Sequence, residues 1–245
     1  DPMDDKRKEK LAIWCNVPAQ HIISAPDVAS IYDVPLNFEK DNLGDLLLDA
    51  LRLPKDKPAD FTAWGDFVAR VKKGGPEVKI GIVGKYFDTG DYVLSDAYLS
   101  VIEALKFSGA EVGVKPRIEW LNAKDFQNGE GVEKLGEYDG ILVPGGFGET
   151  GIEGKLHAIR YARENKIPYF GLCYGMQLMV VEYARNVLGL EGAHTVEINP
   201  DAAHPIVAMM DAQKEILAKG QYGGTMRLGN YVEHVVPGTI AHAAY

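Results

Sequence analysis

The chemistry of this sequence is concentrated at Cys173, which stands between two glycines in Gly171-Leu172-Cys173-Tyr174-Gly175. An apolar run from Pro168 to Leu172 leads into it, and a helical apolar pattern begins at Met176 and continues to Leu188. The order of strand, tight elbow and helix is that of a nucleophile elbow, with a thiol in place of the serine hydroxyl. A turn this sharp strains the backbone at the nucleophile. It also brings chain so close on either side that a Cβ would clash, and glycines avoid that clash. The first turn of the following helix offers unpaired N–H groups and the positive end of the dipole, which favour thiolate over thiol. Cys173 is therefore the expected nucleophile. The competing reading is a small apolar residue that closes a core strand.

A second stretch, Gly145-Gly146-Phe147-Gly148-Glu149-Thr150-Gly151, follows the apolar run Tyr138–Pro144. Its backbone N–H groups suit an anion forming beside Cys173, an oxyanion hole completed by the N–H of Tyr174, the residue after the nucleophile. The stretch also matches G-x-G-x-x-G. A dinucleotide site, however, needs an acidic residue at the end of the next strand, and that strand ends in Gly171-Leu172-Cys173. Gly81 to Tyr86 lacks the spacing and the hydroxyl of a phosphate loop.

Composition limits the remaining choices. A formal charge of −9, with 46% apolar and 25% charged residues, is the balance of an ordinary globular protein and is too acidic for broad nucleic-acid binding. No apolar run reaches membrane-spanning length, and Asp1 to Lys8 is too charged for a signal peptide, so the expected location is cytoplasmic. Cys15 and Cys173 are the only cysteines, far apart, and the six histidines form no zinc-like spacing with them. Neither a disulfide framework nor a metal is expected, and Cys15 is expected simply to pack.

The elements that must position the elbow form a regular alternation. Strands are predicted at Val78–Gly84, Ile118–Leu121, Tyr138–Pro144 and Ile167–Leu172, with helices at Asp96–Phe107, Val132–Leu135 and Glu153–Asn165. This predicts an α/β fold, a doubly wound, mostly parallel open sheet whose ligand site lies at the carboxyl ends of the strands. Both the glycine loop and Cys173 fall there. Ahead of it, residues 1–53 read as a charged helical start, a strand-like run Leu11–Val17 and an amphipathic helix Leu43–Leu51, too little to fold alone. Residues 54–77 read as a linker and a short helix carrying Phe61, Trp64, Phe67, Val68 and Val71, stopped by Gly74-Gly75-Pro76. The expected organisation is thus 1–53, 54–77 and 78–245.

Taken together, Pro144-Gly145-Gly146-Phe147-Gly148 and Gly171 to Gln177 resemble the class I, triad-type glutamine amidotransferases, whose domain is flavodoxin-like. Further stretches narrow the resemblance to the CTP synthase family, over nearly the whole chain. They are Gly84-Lys85-Tyr86, Ser95 to Tyr98, Ile152 to Lys155, Tyr161 to Asn165 and Gly223 to Gly229, with Cys15-Asn16-Val17 and Ser30 to Leu36 in the first segment. The resemblance implies an ATP-dependent ligase of pyrimidine biosynthesis, which aminates UTP to CTP with ammonia from L-glutamine. It also implies a homotetramer, ATP and Mg²⁺ bound by a synthetase domain of which residues 1–53 are the end, and GTP as a candidate allosteric activator. By the same resemblance Cys173 attacks the glutamine amide and the N–H groups of Gly146 and Tyr174 hold the oxyanion. Gly146, Phe147, Gln177 and Glu197 bind the substrate, the last two at its amino group.

The departures matter as much. The family's base and its orienter, a histidine and a glutamate in H-P-E near the C-terminus, do not occur here, and no H-x-E follows Cys173. The family's R-H-R-Y segment is also missing. The expectation is a fragment that carries the glutaminase part without the His/Glu of the triad and does not itself turn over glutamine. Phe87 to Ser95 is longer than the usual spacer, in a region the family associates with its GTP-responsive lid, which puts GTP activation in doubt. Thr150 stands where an arginine is usual, and Tyr174 replaces a leucine at a position whose backbone is the donor. Two other readings stay open: a stand-alone cysteine hydrolase of the same fold, and a non-catalytic assembly or binding module.

Overall fold

Asp4 opens the first helix. Its carboxylate accepts from the Arg7 N–H at 2.8 Å, and α1 (Asp5–Cys15) runs until Asn16 ends it in the left-handed conformation, φ 52°. Both caps satisfy backbone groups that a helix end leaves without partners. The extended run predicted over Leu11–Val17 is instead the end of α1 and its cap. The capped N-terminus and the charged helix formers before it outweigh the local apolar propensity. Cys15 is a second correction: it is exposed on the last turn, as are Ile13 and Trp14, rather than packed.

Helix α2 (Val34–Lys40) begins with Pro35 in its first turn. A proline in the first helical turn lacks only an N–H that would have no partner. The next helix, α3 (Leu43–Leu51), has the predicted bounds. The last of this group, α4 (Thr62–Lys73), stops at Gly74, φ 62°, whose N–H bonds to the Arg70 carbonyl at 3.1 Å. Phe67 and Val68 of α4 are buried with Tyr32 and Ala110, and Leu36, Trp64 and Val71 pack against them. Tyr32 meets Trp64, Phe67 and Phe107 edge-on, and Phe67 stacks on Phe107 at 4.5 Å. The polar handles are also used: the Trp64 indole donates to the Tyr32 carbonyl at 2.9 Å, and the Tyr32 hydroxyl donates to Glu103.

The alternating region starts with β1 (Glu77–Gly84). Two short strands, β2 (Asp88–Thr89) and β3 (Tyr92–Val93), pair antiparallel within the long spacer. The computed structural model describes residues 2–85, 88–89, 92–93, 98–220 and 232–245. The family-like stretches at Tyr86, Ser95 to Ala97 and Gly223 to Gly229 therefore lie outside the described residues, as does the predicted helix start at Asp96. Next come α5 (Leu99–Val112), β4 (Lys115–Asn122), β5 (Gly140–Val143), α6 (Ile152–Glu164), β6 (Tyr169–Gly171) and α7 (Tyr174–Asn186). The helix predicted at Val132–Leu135 is a 3-10 stretch, Val132–Glu137.

All four predicted strands are present, in the sheet order β4-β1-β5-β6. Strands β5 and β6 run parallel, with Ile141 opposite Tyr169 and Val143 opposite Gly171. The order reverses at β1, which makes the carboxyl end of that strand a topological switch point. This is an α/β fold with a parallel sheet and crossover helices.

The chain divides into two compact units. One comprises Asp1–Gly81, Tyr86–Trp120 and Glu137–Gly140, the other Ile82–Lys85, Leu121–Gly136 and Ile141–Tyr245. In the second unit the strand residues Ile82, Val83, Ile141 and Val143 are fully buried, as are Ile159 of α6 and Leu178 and Val181 of α7. The two helices are also clamped electrostatically: the Arg163 guanidinium grips the buried Glu182 carboxylate in a fork, at 3.0 Å from Nε and 2.7 Å from Nη2. Short elements that the sequence reading does not predict complete the unit: β7 (Ala193–Thr195) and β8 (His204–Val207), which pair parallel, α8 (Asp211–Ala218) and α9 (Ile240–Ala244).

Candidate active site

Cys173 sits between the end of β6 and the first residue of α7, with φ 51° and ψ −104°. A positive φ on a non-glycine residue costs on the order of 1–3 kcal/mol and persists only where the surroundings fix it. Here the surroundings are backbone. The Leu172 N–H bonds to the Val143 carbonyl at 2.9 Å, the Gly175 N–H to the Leu172 carbonyl at 2.9 Å, and the Gln177 N–H to the Cys173 carbonyl at 3.1 Å. The flanking glycines are required by space: a Cβ on Gly171 would lie 2.6 Å from the Gly175 carbonyl carbon, and one on Gly175 would lie 2.1 Å from the Val143 oxygen. The Tyr169 hydroxyl donates to the Gly175 carbonyl at 2.9 Å and closes the elbow from below. Burial raises the Tyr169 phenol well above its ordinary value, so it stays a donor. The thiol itself is exposed, unlike a cysteine that merely ends a core strand.

The glycine loop lies against this elbow. A Cβ on Gly145 would stand 3.5 Å from the Cys173 Cβ and 4.0 Å from its Sγ. Gly146 is half-buried and Phe147 is exposed beyond it. The Lys85 ammonium, at the end of β1, donates to the Phe147 carbonyl. The next residue joins two further candidates: the Gly148 carbonyl accepts from the Tyr174 hydroxyl at 3.3 Å, and the Gly148 N–H donates to the Glu197 carboxylate at 2.9 Å. Gln177 is half-buried one helical turn past Cys173. Gly146, Phe147, Tyr174, Gln177 and Glu197 thus belong to one unit with Cys173, and Tyr174 and Glu197 both engage the glycine loop directly.

Two features of the site lie beyond the sequence reading. The Tyr174 side chain is buried, and burial followed by the charges of Glu197 and Glu149 raises its phenol far above the ordinary range. Beneath the ring, Lys155 of α6 is wholly buried, with its ammonium 5.5 Å from the Tyr174 ring centroid. Its signal was in the pattern: Lys155 falls on the face that carries Ile152, Leu156 and Ile159, where α6 is buried. Two histidines are committed elsewhere. His157 Nδ1 donates to the Phe126 carbonyl, and His194 Nδ1 accepts from the Thr195 N–H, with burial and then the charge of Arg185 lowering the His194 pKa. Among the described residues no group of three His, Cys, Asp or Glu is arranged to hold a metal ion, and no helix is long and apolar enough to cross a membrane.

Comparison with known proteins agrees with this geometry. Residues 93–241, more than half of the chain, match the family model for glutamine amidotransferase class-I, and residues 1–53 match that for the CTP synthase N-terminus. The chain is 48% identical over its full length to the CTP synthase of Thermococcus kodakarensis, spanning 44% of that protein. It is 48% identical to that of Methanocaldococcus jannaschii, spanning 45%, and 46% identical to that of Halalkalibacterium halodurans, spanning 44%. The chain therefore covers less than half the length of these relatives. Among solved structures, the glutaminase domain of Trypanosoma brucei CTPS with bound acivicin aligns with a TM-score of 0.51 and 37% identity, over 55% of this chain and 51% of that one. With the strained, exposed cysteine at a helix start and the glycine loop against it, these matches lead to one conclusion: the chain belongs to the class I glutamine amidotransferase family.

Proposed function

We propose that this chain is the glutaminase part of a CTP synthase, together with the end of its synthetase domain. The observation that carries the reading is the approach of Gly145 to the strained Cys173, in a chain that aligns with CTP synthases along its whole length. In this reading the Cys173 thiolate attacks the side-chain amide carbon of L-glutamine. The N–H groups of Gly146 and Tyr174 hold the resulting oxyanion, and each such donor contributes ~3 kcal/mol of transition-state stabilisation. The C–N bond then breaks, ammonia leaves, and water hydrolyses the thioester to glutamate. Glu197, with Gln177, holds the substrate's ammonium, a charge-assisted contact for which a carboxylate tied to the glycine loop is well placed. Phe147 lines the same side. The base that takes the thiol proton is assigned to the family's H-P-E pair, which does not occur in residues 1–245.

The domain division 1–53, 54–77 and 78–245 belongs to this proposal. So does the use of the ammonia: the synthetase part would activate UTP with ATP and Mg²⁺ in a homotetramer, and the ammonia would displace the phosphate to give CTP. GTP activation stays an open element of the family pattern, because the spacer that bears on it is long here.

The test is CTP formation by the full-length enzyme from glutamine and, separately, from ammonia. Cys173→Ala should abolish the glutamine-dependent reaction and leave the ammonia-dependent one. Retention of glutamine-dependent synthesis, or glutamine hydrolysis without any CTP formation in the wild type, would overturn the reading.

A further inference from the structure

Lys155 is a charged residue in a place where an apolar one would pack without cost. It has no accessible surface, and among the described residues its Nζ has no hydrogen-bond partner. A second ammonium, that of Lys85 at the end of β1, acts on it with like charge, and among the described residues no carboxylate is paired with it. What it does face is the ring of Tyr174, at 5.5 Å from the centroid. Burying an ammonium without hydrogen bonds is costly, so a position that keeps one needs a compensating use. Tyr174 is where that use can be exerted: its hydroxyl holds the Gly148 carbonyl, and the Gly148 N–H holds Glu197. The contacts run from Lys155 through Tyr174 and Gly148 to Glu197, along the glycine loop.

We propose that Lys155 is a positioning residue for glutamine hydrolysis: its positive charge under the Tyr174 ring holds that ring against the glycine loop, so that turnover depends on the Lys155 proton. The inference rests on the glutaminase reading above. A cation on a ring face is attracted by the ring quadrupole, most strongly when both are removed from water. The same buried charge also adds to the positive field at the start of α7, where negative charge develops in the reaction. Among the described residues, the groups that face this charge are few. Lys85 disfavours its proton, and Glu197 and Glu149 act on the other side, on Tyr174, whose phenol burial and then these two charges keep neutral. Burial, with the like charge of Lys85, brings the ammonium down to about 8, within reach of an ordinary pH profile.

The experiment is the pH dependence of glutamine hydrolysis by the full-length enzyme between pH 6.5 and 10, with kcat and KM measured for wild type, Lys155→Arg and Lys155→Met. The wild type should lose about tenfold in kcat/KM above pH about 8, the size of a desolvated cation–π contact. Lys155→Arg, charged throughout, should lack that fall. Lys155→Met should lie at the wild type's alkaline level at every pH. Titration of the thiol or of glutamine's own amino group is common to all three and cancels in the ratios. A ratio of variant to wild type that stays constant across pH would mean that Lys155 merely fills space, and would overturn the proposal. Should either variant fail to fold, the other decides. Tyr174→Leu, which removes the ring and keeps the backbone N–H, provides a third arm: an alkaline fall that survives it contradicts the proposal. If the wild type hydrolyses no glutamine at all, the glutaminase reading is what fails.

Discussion

The Gly148 amide donates to the Glu197 carboxylate at 2.9 Å, which ties the glycine loop to the segment that follows β7. Because the Tyr174 hydroxyl engages the carbonyl of the same residue, Gly148 is held from two directions. One carboxylate thus has two uses, fixing the loop and meeting a substrate cation, and substitution can separate them.

Glu197→Gln keeps an acceptor for the Gly148 N–H but removes the charge. Charge-assisted hydrogen bonds are about twice as strong as neutral ones, so KM for glutamine should rise about tenfold while kcat changes little. Glu197→Ala also frees the loop and should lower kcat as well. Steady-state kinetics on the full-length enzyme check both, and an unchanged KM for Glu197→Gln would count against the assignment.

Gly175→Ala forces a methyl to 2.1 Å from the Val143 oxygen, a backbone atom that cannot yield without moving β5. It should cost about 3 kcal/mol or more, in the range of severe overpacking, and displace the start of α7. Gly65→Ala, at the fourth residue of α4 with open space around it, should instead stabilise by about 0.5 kcal/mol. Urea unfolding of the two variants measures both signs in one experiment.

Arg163→Met leaves the Glu182 carboxylate buried, with only the Asn186 side chain, among the described residues, donating to it at 3.1 Å. Breaking a buried pair on one side typically costs about 3–5 kcal/mol. Arg163 is one-third exposed, so the lower end of that range is expected, and replacing both residues with apolar ones should recover most of it. The double-mutant cycle decides, and additive losses would rule out the clamp.

Lys155 also makes a stability prediction, with a definite sign. Its folded value near 8 lies below the ordinary value of 10.5, so below pH 8 both states are protonated and the fold bears the cost of burying the charge. Between about 8 and 10.5 the folded chain has released the proton and the unfolded chain has not, so stability rises with pH across that window. Lys155→Met should remove this rise and be more stable at pH 7 by about 1–3 kcal/mol. Unfolding free energies of the two proteins at pH 7, 8.5 and 10 check it; a difference that does not shrink with pH contradicts it.

Much of the geometry around Cys173 is legible in the sequence. The glycines at 171 and 175 announced a close approach, which the Gly175–Met176 backbone explains at Gly171 and the Val143 oxygen at Gly175, and the strand-helix alternation placed both loops at one end of the sheet. Less was legible where tertiary context overrides local pattern. Leu11 to Val17 looks extended because Ile, Trp and Val favour strands, yet Asp4 and Asn16 cap it into a helix. Strand β7 has only three residues, too few for any periodicity to register. The contact between Glu197 and Gly148 joins residues 49 apart in sequence, and no spacing rule reaches that far.

Whether Cys173 is the nucleophile is tested most directly by alkylation with the glutamine analogue diazo-oxo-norleucine, located by mass spectrometry on the full-length enzyme. Cys15 and Cys173 are both exposed, so accessibility alone would label both. A nucleophilic Cys173 should be modified stoichiometrically and be protected by glutamine, with no comparable reaction at Cys15. Equal labelling of the two, or labelling of Cys173 that glutamine does not slow, would contradict that role.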